Sequence, residues 1–291
     1  MNKIVFGFPG NEFLAESIIR ELQVEKGDFV YRHFPDGESY LQVKSDVKGK
    51  QAIIFCSTYK PDDKWIPLYF LAQNLRDNGI AHITLVAPYL AYMRQDKIFH
   101  SGEGISGKYF AKLISSLVDE LITVEPHLHR WKALSEIYTI PCKALHPTTL
   151  IAEYILKHVE NPVLIGPDIE STPWISEISR FISVPYFILE KERIGDERVK
   201  ISLPEIGTYK NYNPVLVDDI ISTANTMIET IGALQEAEMA FPVCIGVHAI
   251  FAGNAFMQLQ HSNAKDIVTC NSIPHESNKI DVTSLILKAL Q

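Results

Sequence analysis

Short runs of apolar, β-branched or aromatic residues recur along the chain at 4–8, 52–55, 83–87, 121–124, 163–165, 215–217 and 243–247. Each is long enough to cross a sheet and carries no polar stripe, which is the pattern of a strand buried on both faces. Helix-length amphipathic stretches lie between many of them, at 12–22, 66–77, 106–117, 149–158 and 226–236. Strand and helix alternating in this way predict parallel α/β sheets with helical crossovers.

A length of 291 residues predicts two domains. Prolines at 141 and 147 bracket a break before a new helical pattern, which predicts domains over 1–146 and 147–291. With 46% hydrophobic and 21% charged residues, the composition is that of a globular chain, because a disordered one does not carry so much apolar content. The formal net charge of −8 argues against binding to a nucleic-acid backbone, which needs clustered Lys and Arg. A small anionic ligand held by local basic residues remains compatible. Cys56, Cys142, Cys244 and Cys270 are widely spaced without a metal-like pair, and are expected to be reduced thiols. The N-terminal apolar run is too short for a signal peptide and no later run reaches membrane-spanning length. The expectation is a cytoplasmic protein with neither a membrane nor a nucleic-acid partner.

The most informative segment is Pro214-Val-Leu-Val-Asp218-Asp219-Ile-Ile-Ser222-Thr223-Ala224-Asn225-Thr226, followed by a helical pattern with Met227, Ile231 and Leu234 inward. A buried strand ends on two carboxylates, and small hydroxyl residues then open a helix. In an open α/β sheet that is the ligand-binding end of the strands. Backbone N–H groups and hydroxyls at a helix N-terminus suit phosphate, and paired acids suit vicinal sugar hydroxyls. The other reading is an Asp-rich turn with a Ser or Thr N-cap.

This segment resembles the PRPP-binding motif shared by type I phosphoribosyltransferases and PRPP synthases: two acids, two apolar residues, then Asp-Thr-Ala-Gly-Thr. Ser222 stands where the motif has Asp, and Asn225 where it has Gly, a mild change because Asn tolerates a left-handed backbone. Further segments resemble PRPP synthases specifically, and the likeness covers nearly the whole chain. Phe34-Pro35-Asp36-Gly37-Glu38 looks like the family's adenine-facing loop, although alone it is a common Pro/Gly turn. Arg94-Gln95-Asp96 resembles the motif that holds ATP, with a guanidinium offering parallel donors to phosphate. Alone it reads as a solvated loop.

His127, in Glu125-Pro126-His127-Leu128-His129, matches the family histidine that helps hold metal–ATP, with His129 as a close competitor. Asp168 ends another apolar strand and matches an acid near Mg²⁺; it could instead cap the next helix. Glu170 falls where the family has small residues. Lys191 and Arg193 resemble the family's catalytic Lys-x-Arg, which delivers two cations to the charge built up in diphosphoryl transfer. The alternating charges there also suit a solvated β-ribbon. Gly102-Glu-Gly-Ile-Ser-Gly107-Lys108 copies part of a Walker A spacing, but Tyr109 replaces the required Ser or Thr and no apolar strand precedes it.

The resemblance implies two tandem phosphoribosyltransferase-type α/β domains with mostly parallel sheets. It implies an ATP-binding first domain using Phe34, Asp36, Glu38, Arg94, Gln95 and Asp96. Ribose 5-phosphate would sit on Asp218, Asp219, Ser222, Thr223, Ala224, Asn225 and Thr226 in the second. Mg²⁺ would be held by His127 and Asp168, with Lys191 and Arg193 as catalytic residues, in a homo-oligomer. The implied reaction moves the diphosphate of ATP to the C1 hydroxyl of ribose 5-phosphate. Two other roles share part of these motifs: a PRPP-consuming phosphoribosyltransferase, and a catalytically weak regulatory homologue, which Glu170, Ser222 and Asn225 would suit.

Overall fold

The computed structural model of the protein describes residues 2–194, 198–202 and 206–291, and the side chains at 190–207 lie outside that description. The chain divides into two units, residues 1–145 with 283–291, and residues 146–282. In the first unit the strands Glu25–Lys26, Lys3–Gly7, Gln51–Phe55, His82–Ala87, Glu120–Val124 and Cys142–Leu145 lie side by side in that order. Every pairing between them is parallel. In the second unit the order is Tyr186–Ile188, Pro162–Gly166, Asn213–Ile221, Val243–Ala249, Asp266–Cys270 and Asn278–Ile280, again all parallel.

The two sheets share one plan. Numbered along the chain within each unit, the sheet strands take the order 2-1-3-4-5-6. Each unit also inserts an antiparallel hairpin between its second and third sheet strands: Phe29–His33 with Ser39–Val43, and Glu190–Ile194 with Arg198–Ser202. The reversal between strands 1 and 3 is the point where an open α/β sheet leaves a crevice at its carboxyl edge. Complete burial along Pro162–Gly166 and Val243–Ala249 shows that both faces of the second sheet are covered, as their unbroken apolar sequences require. Ile4, Val5, Ile54, Leu85 and Leu121 do the same in the first.

Two expectations are corrected. A second domain over 147–291 is too long at its end, because the helix Thr283–Leu290 belongs to the first unit. There Ile286 is fully buried, and Lys3 Nζ donates to Leu290 O at 2.6 Å and Lys143 Nζ to Ala289 O at 2.9 Å. The helix expected over 66–77 begins earlier, at Pro61–Asp77. Pro61 occupies its first turn, where the missing N–H costs nothing, while Pro67 inside the helix obscures the period.

Candidate functional site

In the second unit, the acids arrive from two neighbouring strands. Asn213–Ile221 pairs with Pro162–Gly166 through Leu216 and Ile165, so Asp168 and the Asp218–Asp219 pair emerge at the same edge of the sheet, at the crevice between strands 1 and 3. A side chain at Gly166 would collide with Ser171 and Ile188, which lets the loop turn tightly around Asp168. Asp168 Oδ1 accepts the N–H groups of Glu170 at 3.0 Å and Ser171 at 3.2 Å, and thereby caps the short helical turn Ile169–Ser171. Asp218 Oδ1 accepts the N–H of Asp219 at 2.9 Å. Burial first, then the carboxylates of Asp219 and Asp168, push the Asp218 carboxyl well above its usual range.

The loop after this strand enters the helix Asn225–Glu236. Among the described residues, the N–H groups of Thr223, Ala224 and Asn225 have no protein acceptor, so three donors converge at a helix N-terminus. The left-handed residue is Ala224, with φ 61°, and Asn225 opens the helix in its place. The tolerance of Asn for that conformation is therefore not what accommodates the loop.

In the first unit, Phe34, Asp36 and Glu38 form the tip of the hairpin. Phe34 N–H donates to Glu38 O at 2.8 Å, Gly37 N–H to Phe34 O at 2.9 Å, and Gly37 takes φ 92°. All three candidate side chains are exposed, and Tyr40 meets Phe34 edge-on with centroids 5.9 Å apart. Beside the crevice of this sheet is a cavity of about 290 Å³ lined by Phe8, Pro9, Tyr31, His33, Asp63 and Lys64, with Pro67.

Arg94 and Gln95 are exposed in the loop after His82–Ala87, whereas Asp96 is buried. Arg130 Nη1 reaches both Asp96 oxygens, at 3.3 and 3.0 Å. That ion pair was not legible in the sequence, although a buried acid calls for such a partner. His127 and His129 follow Glu120–Val124 and pair with each other, His129 Nε2 to His127 Nδ1 at 3.0 Å, so they form one imidazole unit. Lys191 and Arg193 lie on the strand Glu190–Ile194, opposite Ile201 and Val199. Their side chains lie outside the described residues, but the backbone is the expected two-stranded ribbon.

Asp168, Asp218 and Asp219 at this edge form an oxygen-rich donor set that suits Mg²⁺, which binds through one or two carboxylates and substrate phosphate. A parallel sheet of this order, present twice and leading in the second unit from two acids into an open helix N-terminus, defines a protein of the phosphoribosyltransferase fold class. The comparisons narrow the class. Residues 3–117 match the N-terminal domain of ribose phosphate pyrophosphokinase, and residues 133–285 match the phosphoribosyl transferase domain. The chain is 32% identical to a ribose-phosphate pyrophosphokinase of Sulfurisphaera tokodaii, over 97% of each chain. It is 29% identical to one of Methanobrevibacter smithii, over 99% of this chain and 100% of the other. A crystal structure of phosphoribosylpyrophosphate synthetase from Mycobacterium smegmatis shares the fold with TM-score 0.88 at 22% identity, covering 100% of this chain and 98% of that one. The chain belongs to the ribose-phosphate pyrophosphokinase family.

Proposed function

We propose that this chain transfers the β,γ-diphosphate of ATP to the C1 hydroxyl of ribose 5-phosphate, giving PRPP and AMP. The observation that carries the reading is the segment from Asp218 to Thr226, where two acids near the end of the strand Asn213–Ile221 are followed by three backbone donors without protein acceptors. Thr223, Ala224 and Asn225 would donate backbone N–H groups to the 5-phosphate, aided by the hydroxyls of Ser222, Thr223 and Thr226. Asp218 and Asp219 would accept from the sugar's vicinal hydroxyls and orient C1.

On the nucleotide side, Phe34 would stack on adenine, with Asp36 and Glu38 at its amino edge. Arg94 and Gln95 would donate to the triphosphate, while Asp96, tied to Arg130, would hold their loop in place. The C1 oxygen then attacks the β-phosphorus in line, the Pβ–O bond to the α-phosphate breaks, and AMP leaves. Lys191 and Arg193 would stabilise the charge that develops on the transferring group. Bound Mg²⁺ would neutralise triphosphate charge, with the His127 imidazole of the first unit and the Asp168 carboxylate of the second each a candidate donor. Positioning and electrostatics can supply most of such a transfer, so no general base is assigned.

The family likeness supports a homo-oligomer. Four unbridged cysteines agree with a cytoplasmic setting, and none of the described helices is long and apolar enough to cross a membrane. Incubation with ATP, ribose 5-phosphate and Mg²⁺, followed by ³¹P NMR, tests the reading. Formation of AMP and PRPP only with all three components is expected. Consumption of PRPP in the presence of a nucleobase would indicate a phosphoribosyltransferase instead, and no turnover with either set a regulatory homologue.

A further inference from the structure

Arg32 has a place in the hairpin that its charge alone does not explain. It stands directly opposite Tyr40 in the antiparallel register. Tyr31 and His33 contribute to the cavity of the first unit, so strand alternation turns Arg32 to the other face, the face of Phe34 two residues on. There the guanidinium carbon lies 4.5 Å from the ring centroid of Phe34 and 4.5 Å from that of Tyr40. The two rings meet at 83°, so one cation fills the corner between them. Among the described residues the Arg32 guanidinium has no hydrogen bond and no carboxylate within ion-pair distance, so the rings alone hold that side chain.

We propose that Arg32 is a positioning residue that clamps Phe34 as a stacking platform for the purine base of the nucleotide donor, and so favours purine over pyrimidine triphosphates. The inference rests on the reading of Phe34 as the base-stacking residue. Phe34 is 39% exposed at the tip of a two-stranded hairpin, and an unrestrained ring there would lose rotamer freedom on binding. A guanidinium against one face removes that freedom beforehand, leaves the opposite face for the base, and polarises the π-system between them. A purine presents more stacking area than a pyrimidine, so a fixed platform discriminates between them and a mobile one does so less.

The two side chains are both exposed, so their removal leaves the core intact. The test is a double-mutant cycle on the dissociation constant of α,β-methylene ATP, an analogue that cannot release AMP, read by calorimetry on the full chain. Phe34→Ala should weaken binding on the order of 10-fold, as loss of an aromatic–base stack does. Arg32→Ala should weaken it roughly 3-fold, the scale of an exposed cation–π contact, and should reduce the preference for ATP over CTP. With Phe34 already replaced, Arg32→Ala should have no further effect. An undiminished effect of Arg32→Ala in the Phe34→Ala background overturns the clamp and leaves base stacking in place. Wild-type affinity in Phe34→Ala removes the stacking reading, and the role of Arg32 with it.

Discussion

At Asp218 two physical demands oppose each other. The proposed sugar contact needs a carboxylate, yet burial and the acids Asp219 and Asp168 raise its pKa well above the ordinary 3.8. A carboxyl that holds its proton more tightly when folded adds stability below the unfolded value and loses that contribution as pH rises through the folded one. Without ligand and in EDTA, Asp218→Asn should therefore be more stable than wild type at neutral pH, by about 1 kcal/mol, and the gap should close toward pH 4. Ribose 5-phosphate binding should weaken by about 1–3 kcal/mol, the worth of a charged hydrogen bond. Urea titration across pH, paired with calorimetry, reads both; a substitution that destabilises at pH 7 refutes the account. The Asp pair was legible because two acids ending an apolar run are conspicuous. Arg130 was not, because the partner of Asp96 is fixed by a loop that no periodicity describes.

Elements with buried faces announced themselves, and edges did not. The run at 163–165 became Pro162–Gly166, buried throughout, whereas Cys142–Leu145 and Asn278–Ile280 are partly exposed edge strands with no apolar run to betray them. The helix after the acids was equally plain, but its entry was misread: the strained residue is Ala224, not Asn225. An alanine held at φ 61° costs about 1 kcal/mol relative to glycine. Ala224→Gly should raise the unfolding free energy by roughly that amount and preserve phosphate-cradle geometry, leaving ribose 5-phosphate affinity unchanged. A drop in stability would mean that the loop is held by something other than this backbone conformation. The ribbon bearing Lys191 and Arg193 invites a different test, since cations that act on developing charge lower kcat and kcat/KM together. Lys191→Ala should cut kcat on the order of 100-fold, the loss seen for one preorganised donor, with substrate affinities little altered. An unchanged kcat would remove Lys191 from the chemistry.

Duplication organises the whole molecule: two sheets of order 2-1-3-4-5-6, each with a hairpin in the same place, one carrying Phe34 and the other Lys191. Alternating patterns in the sequence implied two α/β bodies, but not that the chain returns to the first at its end. A single cut near 146 was the natural reading because local pattern reports elements and not their partners. The helix Thr283–Leu290 is apolar enough to bury a face in either unit; its docking is decided by the first helix and the edge strand Cys142–Leu145 of the first unit, with which it packs. Ile286 is fully buried in that packing, so Ile286→Ala leaves a cavity worth about 2–5 kcal/mol. The loss should fall on the unit that owns the helix. Hydrogen exchange followed by mass spectrometry should show faster exchange in peptides from 1–145 and 283–291, with 146–282 unaffected. Affinity for α,β-methylene ATP should fall, because its proposed contacts stand on the loosened unit, while ribose 5-phosphate affinity should hold. Faster exchange confined to 146–282 would return the C-terminal helix to the second unit and restore the simple two-segment division.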